Sequence, residues 1–508
     1  MTTLSAVIRE NARSAPDAIA LICEDRRVNY RQLLDRSLRL ASLLVERGIG
    51  KGDRVAWIGQ NSGHWLELLI ASAHVGAIFC SLNWRLSVAE QCAMLDYVDP
   101  HLMVWQQQDV GATGVALRDQ RPQSAWIAHD DPSVDGLEAL IAAAAPFEPE
   151  ADPGDPDLPV LLLPVAHPAG SPLASLLSHR NLLVAAPLMA QLQDIDRSTV
   201  NLAAAPLFHV AAFFTLIPTL LMRGTNVMVA RSDPERLCRE IAAHRCTHGF
   251  LLAPTAEGMI EANAAGRYEL GSFRSSLRID RWRSMVADDE SRWGRSPGGF
   301  GQTETGMAVL AALGEGASMT SGWAAPYCEV RIVDGDGRTA LPGQTGEIIV
   351  RGQNVHLGYW RAATLTRARF TDGWWHTGDL GARAADGQIS FVGPKGRMIK
   401  SGAENIYGSE VELCLARHPA VSEAGVIGVP DATWIQTVRA IVVLAEGAAT
   451  TEAQLQDFVR DALASYKKPR SIVFRREPLP RSGPAIDYAR LDAEYGGGGY
   501  PGEGTRSA

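Results

Sequence analysis

Residues 161–181, LLLPVAHPAGSPLASLLSHRN, constrain the fold more than any other part of this chain. An apolar run, a Gly/Pro turn and a Ser-His-Arg-Asn helix start have the layout of a strand, a phosphate-gripping loop and a helix. That unit belongs in a sheet covered by helices. The residues such a loop uses are mostly absent. Phosphate oxygens call for bare backbone N–H groups, hydroxyl donors and a lysine. Here only Gly170, Ser171 and Ser175 stand among Ala, Pro and Leu.

At 508 residues the chain exceeds a single ordinary core, so two or more domains are expected. With 46% apolar and 21% charged residues it has the composition of a soluble globular protein, expected in the cytoplasm. A net charge of −9 without a Lys/Arg block argues against a nucleic-acid surface. The seven cysteines include no C-x-x-C pair, which predicts reduced, mostly buried thiols and no cysteine metal site. The start, MTTLSAVIRENARSAPD, lacks the basic and apolar regions of a signal peptide. The apolar run 202–222 is long enough to span a bilayer, but Pro206, His209 and Pro218 interrupt it, so it predicts a buried strand, loop and helix.

Helical periodicity marks residues 4–12, 30–47, 65–75 and 234–244, and short apolar strands fall at 54–59, 77–80 and 227–229. This alternation predicts a large α/β domain with parallel sheets. After Ser321, strands at 330–334, 346–351 and 388–392 with Gly-rich turns predict a small β-barrel-like subdomain. An α+β unit follows, with helices at 409–417 and 452–464 and strands at 424–429 and 439–444. The expected division is 1–396 for the large domain, 397–490 for a small mobile lid and 491–508 for a disordered Gly-rich tail.

Several landmarks occur in a fixed order: SHRNL at 178–182, APLFHV at 205–210, GFGQTETG at 299–306, LPGQTGEIIVRG at 341–352, GYW at 358–360 and GWWHTGDL at 373–380. MIKSGAENIYGSEVE at 398–412, HPAVSEAGVIGVPD at 418–431, YKKP at 466–469 and LPRSG at 479–483 complete the series. Most are weak singly. Together they resemble the AMP-forming acyl- and aryl-CoA synthetases, in the adenylate-forming superfamily that also holds luciferases and adenylation domains. The resemblance extends to about Leu491. It implies ATP or AMP, Mg²⁺ and CoA as ligands and a carboxylic acid or its CoA thioester as substrate, with no nucleic-acid partner; oligomeric state is not legible. It also implies a two-step reaction: a carboxylate attacks the α-phosphate of ATP, the small domain swings, and the thiol of CoA attacks the resulting adenylate.

By the same resemblance, Glu304 is the magnesium ligand, Thr303 contacts the α-phosphate, and Phe300 with Gly301 and Gln302 lies along the nucleotide. A hard carboxylate oxygen suits Mg²⁺. Asp379 accepts from the ribose hydroxyls, as an acceptor-only side chain can. His209 borders the acyl pocket, although a lone His among apolar residues is equally a satisfied core group; Phe213, Phe214 and Leu216 stand nearby. Lys400, Gly402 and Ala403 match the CoA loop, where the family has two glycines, and a tight turn is the plain alternative. Arg397 is the hinge.

Other family features are missing. Leu173 takes the loop's lysine position, Pro168 and Ala169 those of its threonines, and Pro168 also removes a backbone donor. No lysine follows LPR; Ile486 falls where the family's bridging lysine would be. Pro394 replaces a ribose-contacting arginine, and the Gly-rich turn expected after Arg278 is absent. Losing one preorganised donor costs about 10²–10³ in rate, and these losses together imply on the order of 10⁴–10⁶. Arg481, Lys467, Lys395 and Arg283 are the candidate replacement charges. Three functions are consistent with this pattern: a synthetase with impaired adenylation, an ATP-independent acyl-transfer, cyclising or hydrolytic enzyme on the same fold, and a non-catalytic scaffold.

Overall fold

The computed structural model describes residues 3–108, 110–147, 154–167, 170–314, 320–402, 404–482 and 485–498. Two sheets built mainly of parallel strands form the large domain. One orders the strands His248–Gly249, Val200–Ala203, Thr225–Met228, Ile19–Cys23 and Arg26–Asn29. The other runs Ala125–Ala128, Leu102–Trp105, Arg54–Ile58, Ile78–Ser81, Pro159–Pro164 and Ala174–Ser178. The helix Gly63–Val75 shows why they stack. Its sequence, GHWLELLIASAHV, is apolar on nearly every face, so it is buried throughout, packed with residues of both sheets in one core. Glu67, the one carboxylate within it, is fully enclosed and held by Arg26 at 3.2 Å and Arg36 at 2.7 Å.

The run 202–222 is a strand end, a loop and the helix Phe213–Leu221, and no helix among the described residues is long and apolar enough to cross a membrane. The barrel-like subdomain is an eight-stranded antiparallel sheet from Gly299–Gln302 to Trp374–Arg383 and Ile389–Pro394. In the C-terminal unit Val421–Asp431 lines one edge of Ile435–Leu444, and the other edge carries the hairpin Met398–Ser401/Glu404–Tyr407 at its start and Ser471–Arg475 further along.

Two sequence expectations need correction. Residues 174–178 form a strand antiparallel to Pro159–Pro164, so the phosphate-loop region is a strand hairpin before it is a helix. The helix His179–Leu183 then starts on a capping box between Ser178 and Asn181. The second concerns the tail expected from residue 491, whose first residues are helical. The helix Tyr488–Tyr495 seats Leu491, fully buried, on the outer face of the C-terminal sheet with Ile427, Val443 and Leu479. Its anchor is apolar burial, which the Gly-rich text around it hides.

Candidate functional site

Glycines and threonines place the two acids first. In the hairpin Gly299–Gln302/Gly306–Leu310 a Cβ at Gly299 would meet Val309 O at 2.0 Å and one at Gly301 would meet Gly306 O at 2.2 Å. The backbone can cross there only without side chains. Thr303 and Glu304 therefore sit at a tight turn, fixed by His356 N–H donating to Glu304 O at 2.8 Å. In the strand Trp374–Arg383, Gly378 takes φ +73, its N–H donates to Glu347 Oε1 at 3.1 Å, and Asp379 N–H donates to Thr377 Oγ1 at 3.1 Å.

These turns open into a cavity of about 950 Å³ between the large domain and the C-terminal unit. Its walls include Gly170, His209, Phe300, Gly301, Gln302, Thr303, Glu304, Asp379 and Lys400, so most of the sequence candidates converge. Glu304 Oε1 accepts from Tyr359 O–H at 2.8 Å, and burial pushes the Glu304 carboxyl up. The residue is half-buried and keeps some surface open to the cavity. Asp379 accepts from Gln302 Nε2 at 2.5 Å; burial, joined by the charge of Glu304, pushes it up to about 7. Phe300 stacks on Phe391 with ring centres 5.5 Å apart.

From the C-terminal unit, Lys400 Nζ donates to Asn405 Oδ1 at 2.7 Å, and burial lowers its ammonium. Glu404 lies 3.2 Å from His209 Nε2 and 3.4 Å from Arg85. Burial acts to raise Glu404, but His209, Arg85 and Lys400 prevail and hold it below the usual carboxylate range. Gly402 stands outside the cavity wall. At φ +59 it serves the hairpin turn, where a Cβ would press on Trp434 at 3.2 Å, and Ala403 lies outside the described residues. Arg397 turns away as well, onto the Tyr488 ring at 3.0 Å and Glu412 at 3.3 Å.

In the segment expected to form the phosphate loop, the described donors already have partners. The N–H of Gly170 is already given to His167 O at 2.9 Å. Ser171 Oγ is 3.0 Å from His167 Nδ1. Ser175 is fully buried and paired with His356 Nδ1 at 2.8 Å, behind the loop rather than on it. Glu410 lies against Gly170, so that an added Cβ would touch its Cγ at 3.0 Å. Pro168 and Ala169 lie outside the described residues. The suggested replacement cations are already paired: Arg283 with Asp288 and Arg481 with Glu423, and, within the cavity wall, Lys395 with Glu347 and Lys467 with both Glu90 and Glu410 at 2.7 Å. Ile486 sits beside the apolar cluster of Ile427, Val443 and Leu479, outside the cavity wall.

The AMP-binding enzyme profile matches residues 8–360, and the AMP-binding enzyme C-terminal domain profile matches 410–484. This chain belongs to the AMP-binding enzymes. Within that family it is similar to an indoleacetate–CoA ligase of Aromatoleum aromaticum, 32% identical over 96% of this chain and 97% of that protein. A feruloyl-CoA synthase of Amycolatopsis is 34% identical over 93% and 94%. Its fold is that of an amide bond synthetase from Marinactinospora thermotolerans, TM-score 0.82 at 24% identity, covering 97% and 99% of the two chains. It is also that of an o-succinylbenzoate CoA synthetase from Bacillus subtilis, TM-score 0.78 at 26% identity over 94% and 95%. These relatives place this AMP-binding enzyme among the AMP-forming acyl- and aryl-CoA synthetases, the acid–thiol ligases of the adenylate-forming superfamily.

Sequence reasoning missed three parts of the site: the Tyr359 hydroxyl on Glu304, the Glu404 carboxylate on His209, and the guanidinium of Arg369 in the cavity wall. Tyr359 falls in the GYW landmark and Glu404 in the CoA loop, so both segments were signposted. Nothing in TRARF singles out Arg369.

Proposed function

We propose that this AMP-binding enzyme is an acyl- or aryl-CoA ligase whose efficient half-reaction joins an acyl-adenylate to CoA, and whose own adenylation of a free acid is slow. One observation carries the reading: the hairpin bearing Lys400, Glu404 and Asn405 lines the same cavity as Glu304 and Asp379, while Ile486 packs in a separate apolar cluster. In the step, the CoA sulfur attacks the acyl carbonyl, the C–S bond forms, the bond from acyl carbon to phosphate oxygen breaks, AMP leaves with the electron pair, and the thiol proton passes to solvent.

Asp379 fits a ribose diol, and Glu304, with a single neighbouring hydroxyl, fits Mg²⁺ held jointly with phosphate oxygens, where the ion would neutralise phosphate charge. The phosphate loop does not fit a triphosphate, because its glycine N–H and its hydroxyls are already engaged. The acyl group is apolar in this reading. A narrow cleft lined by Leu182, Val210, Phe213, Phe214 and Met307 opens beside Thr303. Relatives named for indoleacetate and ferulate favour an aromatic acid.

The test supplies synthetic phenylacetyl- and cinnamoyl-adenylate with CoA and follows AMP and thioester release. ATP–pyrophosphate exchange with the free acids is measured in parallel. Thioester formation should exceed exchange by about 10²-fold or more. Equal rates would refute the reading.

A further inference from the structure

Four Lys and Arg side chains line the cavity: Arg369, Lys395, Lys400 and Lys467. Three already have partners there. Lys467 bridges two carboxylates, Lys395 lies 3.0 Å from Glu347, and Lys400 donates to Asn405 between the charges of Glu404 and Asp379. Arg369 differs. It ends the helix Ala363–Arg369 and is half-buried, and its one hydrogen bond among the described residues is Nη1 to His376 O at 3.3 Å. It forms no ion pair with a carboxylate among the described residues, so most of the guanidinium fork remains available to a ligand.

Its position explains a glycine. A Cβ at Gly378 would lie 2.7 Å from Arg369 Nη1, so the bare backbone there lets the guanidinium reach the turn that carries Asp379. The charge is felt across the site: it lowers the carboxyls of Glu304 and Asp379 and the phenols of Tyr359 and Tyr407 against the burial that raises them, and acts on His167 of the phosphate loop. A cation capping a helix C-terminus is a common surface device. Such a device does not account for a fork drawn back over the strand Trp374–Arg383 into a cavity wall.

We propose that Arg369 is the cation that receives the nucleotide phosphate in this chain, standing in for the lysine absent at Leu173. Because it approaches the turn that anchors the ribose, its partner is the phosphate nearest the sugar, common to AMP, ATP and an acyl-adenylate. This rests on the nucleotide reading of Asp379 given above. It also fits that reading's asymmetry: an enzyme that grips the α-phosphate but not the β,γ tail suits the handling of adenylates.

Titration calorimetry of adenosine, AMP and ATP·Mg tests it on the full chain and on Arg369→Ala, Arg369→Lys and Asp379→Asn, each checked by thermal melting. Arg369→Ala should weaken AMP and ATP alike by about 10- to 100-fold and adenosine by less than about twofold. Arg369→Lys, which keeps charge but not the fork, should fall between. Unchanged AMP affinity in Arg369→Ala, a loss confined to ATP, or an equal loss of adenosine overturns the assignment. If Asp379→Asn binds AMP as well as the parent does, the ribose reading fails instead. If the parent binds neither adenosine nor AMP, both fall. Should Arg369→Ala melt early, Arg369→Lys and the loss of salt dependence in Arg369→Gln decide the matter.

Discussion

Adenosine binding should strengthen as the solution becomes more alkaline, and the size of the effect follows from Asp379. A vicinal diol donates, so the carboxylate form binds it and the protonated form competes poorly. Burial, with Glu304 adding to it, pushes Asp379 up to about 7, against the pull of Gln302, Lys400 and Arg369. A group at about 7 is roughly one-tenth ionised at pH 6 and nine-tenths at pH 8, so Kd should drop about tenfold across that interval. Adenosine is the ligand of choice because it has no phosphate to titrate. Asp379→Asn should bind more weakly, with a flat profile. A second readout carries the opposite sign. Because the folded value lies above the unfolded one, this carboxyl's contribution to stability is greatest in acid and is lost as pH rises from about 4 through about 7, at a cost on the order of 4 kcal/mol. Asp379→Asn should therefore melt above the parent at pH 8 and lose more than half of that advantage by pH 5. A parent profile that is flat or falls with pH, or an asparagine variant that keeps the tenfold change, would refute the reasoning.

Ile486→Lys returns an ammonium to the position the family resemblance assigns to the bridging lysine. It should lower the melting temperature through its contact with the Ile427, Val443 and Leu479 cluster, yet raise ATP–pyrophosphate exchange by at least about tenfold; no gain in exchange would count against a swinging C-terminal unit. Lys467→Ala leaves Glu90 and Glu410 facing each other across the domain junction without their shared cation. With Lys467 largely buried, the contact should weaken by on the order of 3 kcal/mol, and limited proteolysis near Lys395 and Arg397 should accelerate; unchanged cleavage would show that the bridge does not hold the two units.

Much of the framework was legible because its causes are local. The helix Pro234–His244 follows from Asp233 as cap and Pro234 in the first turn. The acid-bearing turns of GFGQTETG and HTGDL are set by glycines that allow close crossing or positive φ. The strand Ala174–Ser178 escaped notice because its identity depends on pairing with Pro159–Pro164 rather than on its own five residues. The helix Tyr488–Tyr495 escaped because one buried leucine outweighs a glycine-rich neighbourhood.

The sequence by itself determined the family and the order of the units, since both are written in residue types at fixed spacing. Only the tertiary structure decided which surviving groups are still free to act. It turned Ser175 inward, closed the N–H of Gly170 onto His167, engaged Lys395 and Lys467, and left the fork of Arg369 open beside Asp379. The reason is physical: a charge or donor acts through what it reaches, and a long side chain finds its partners across hundreds of residues of chain that no local pattern encodes.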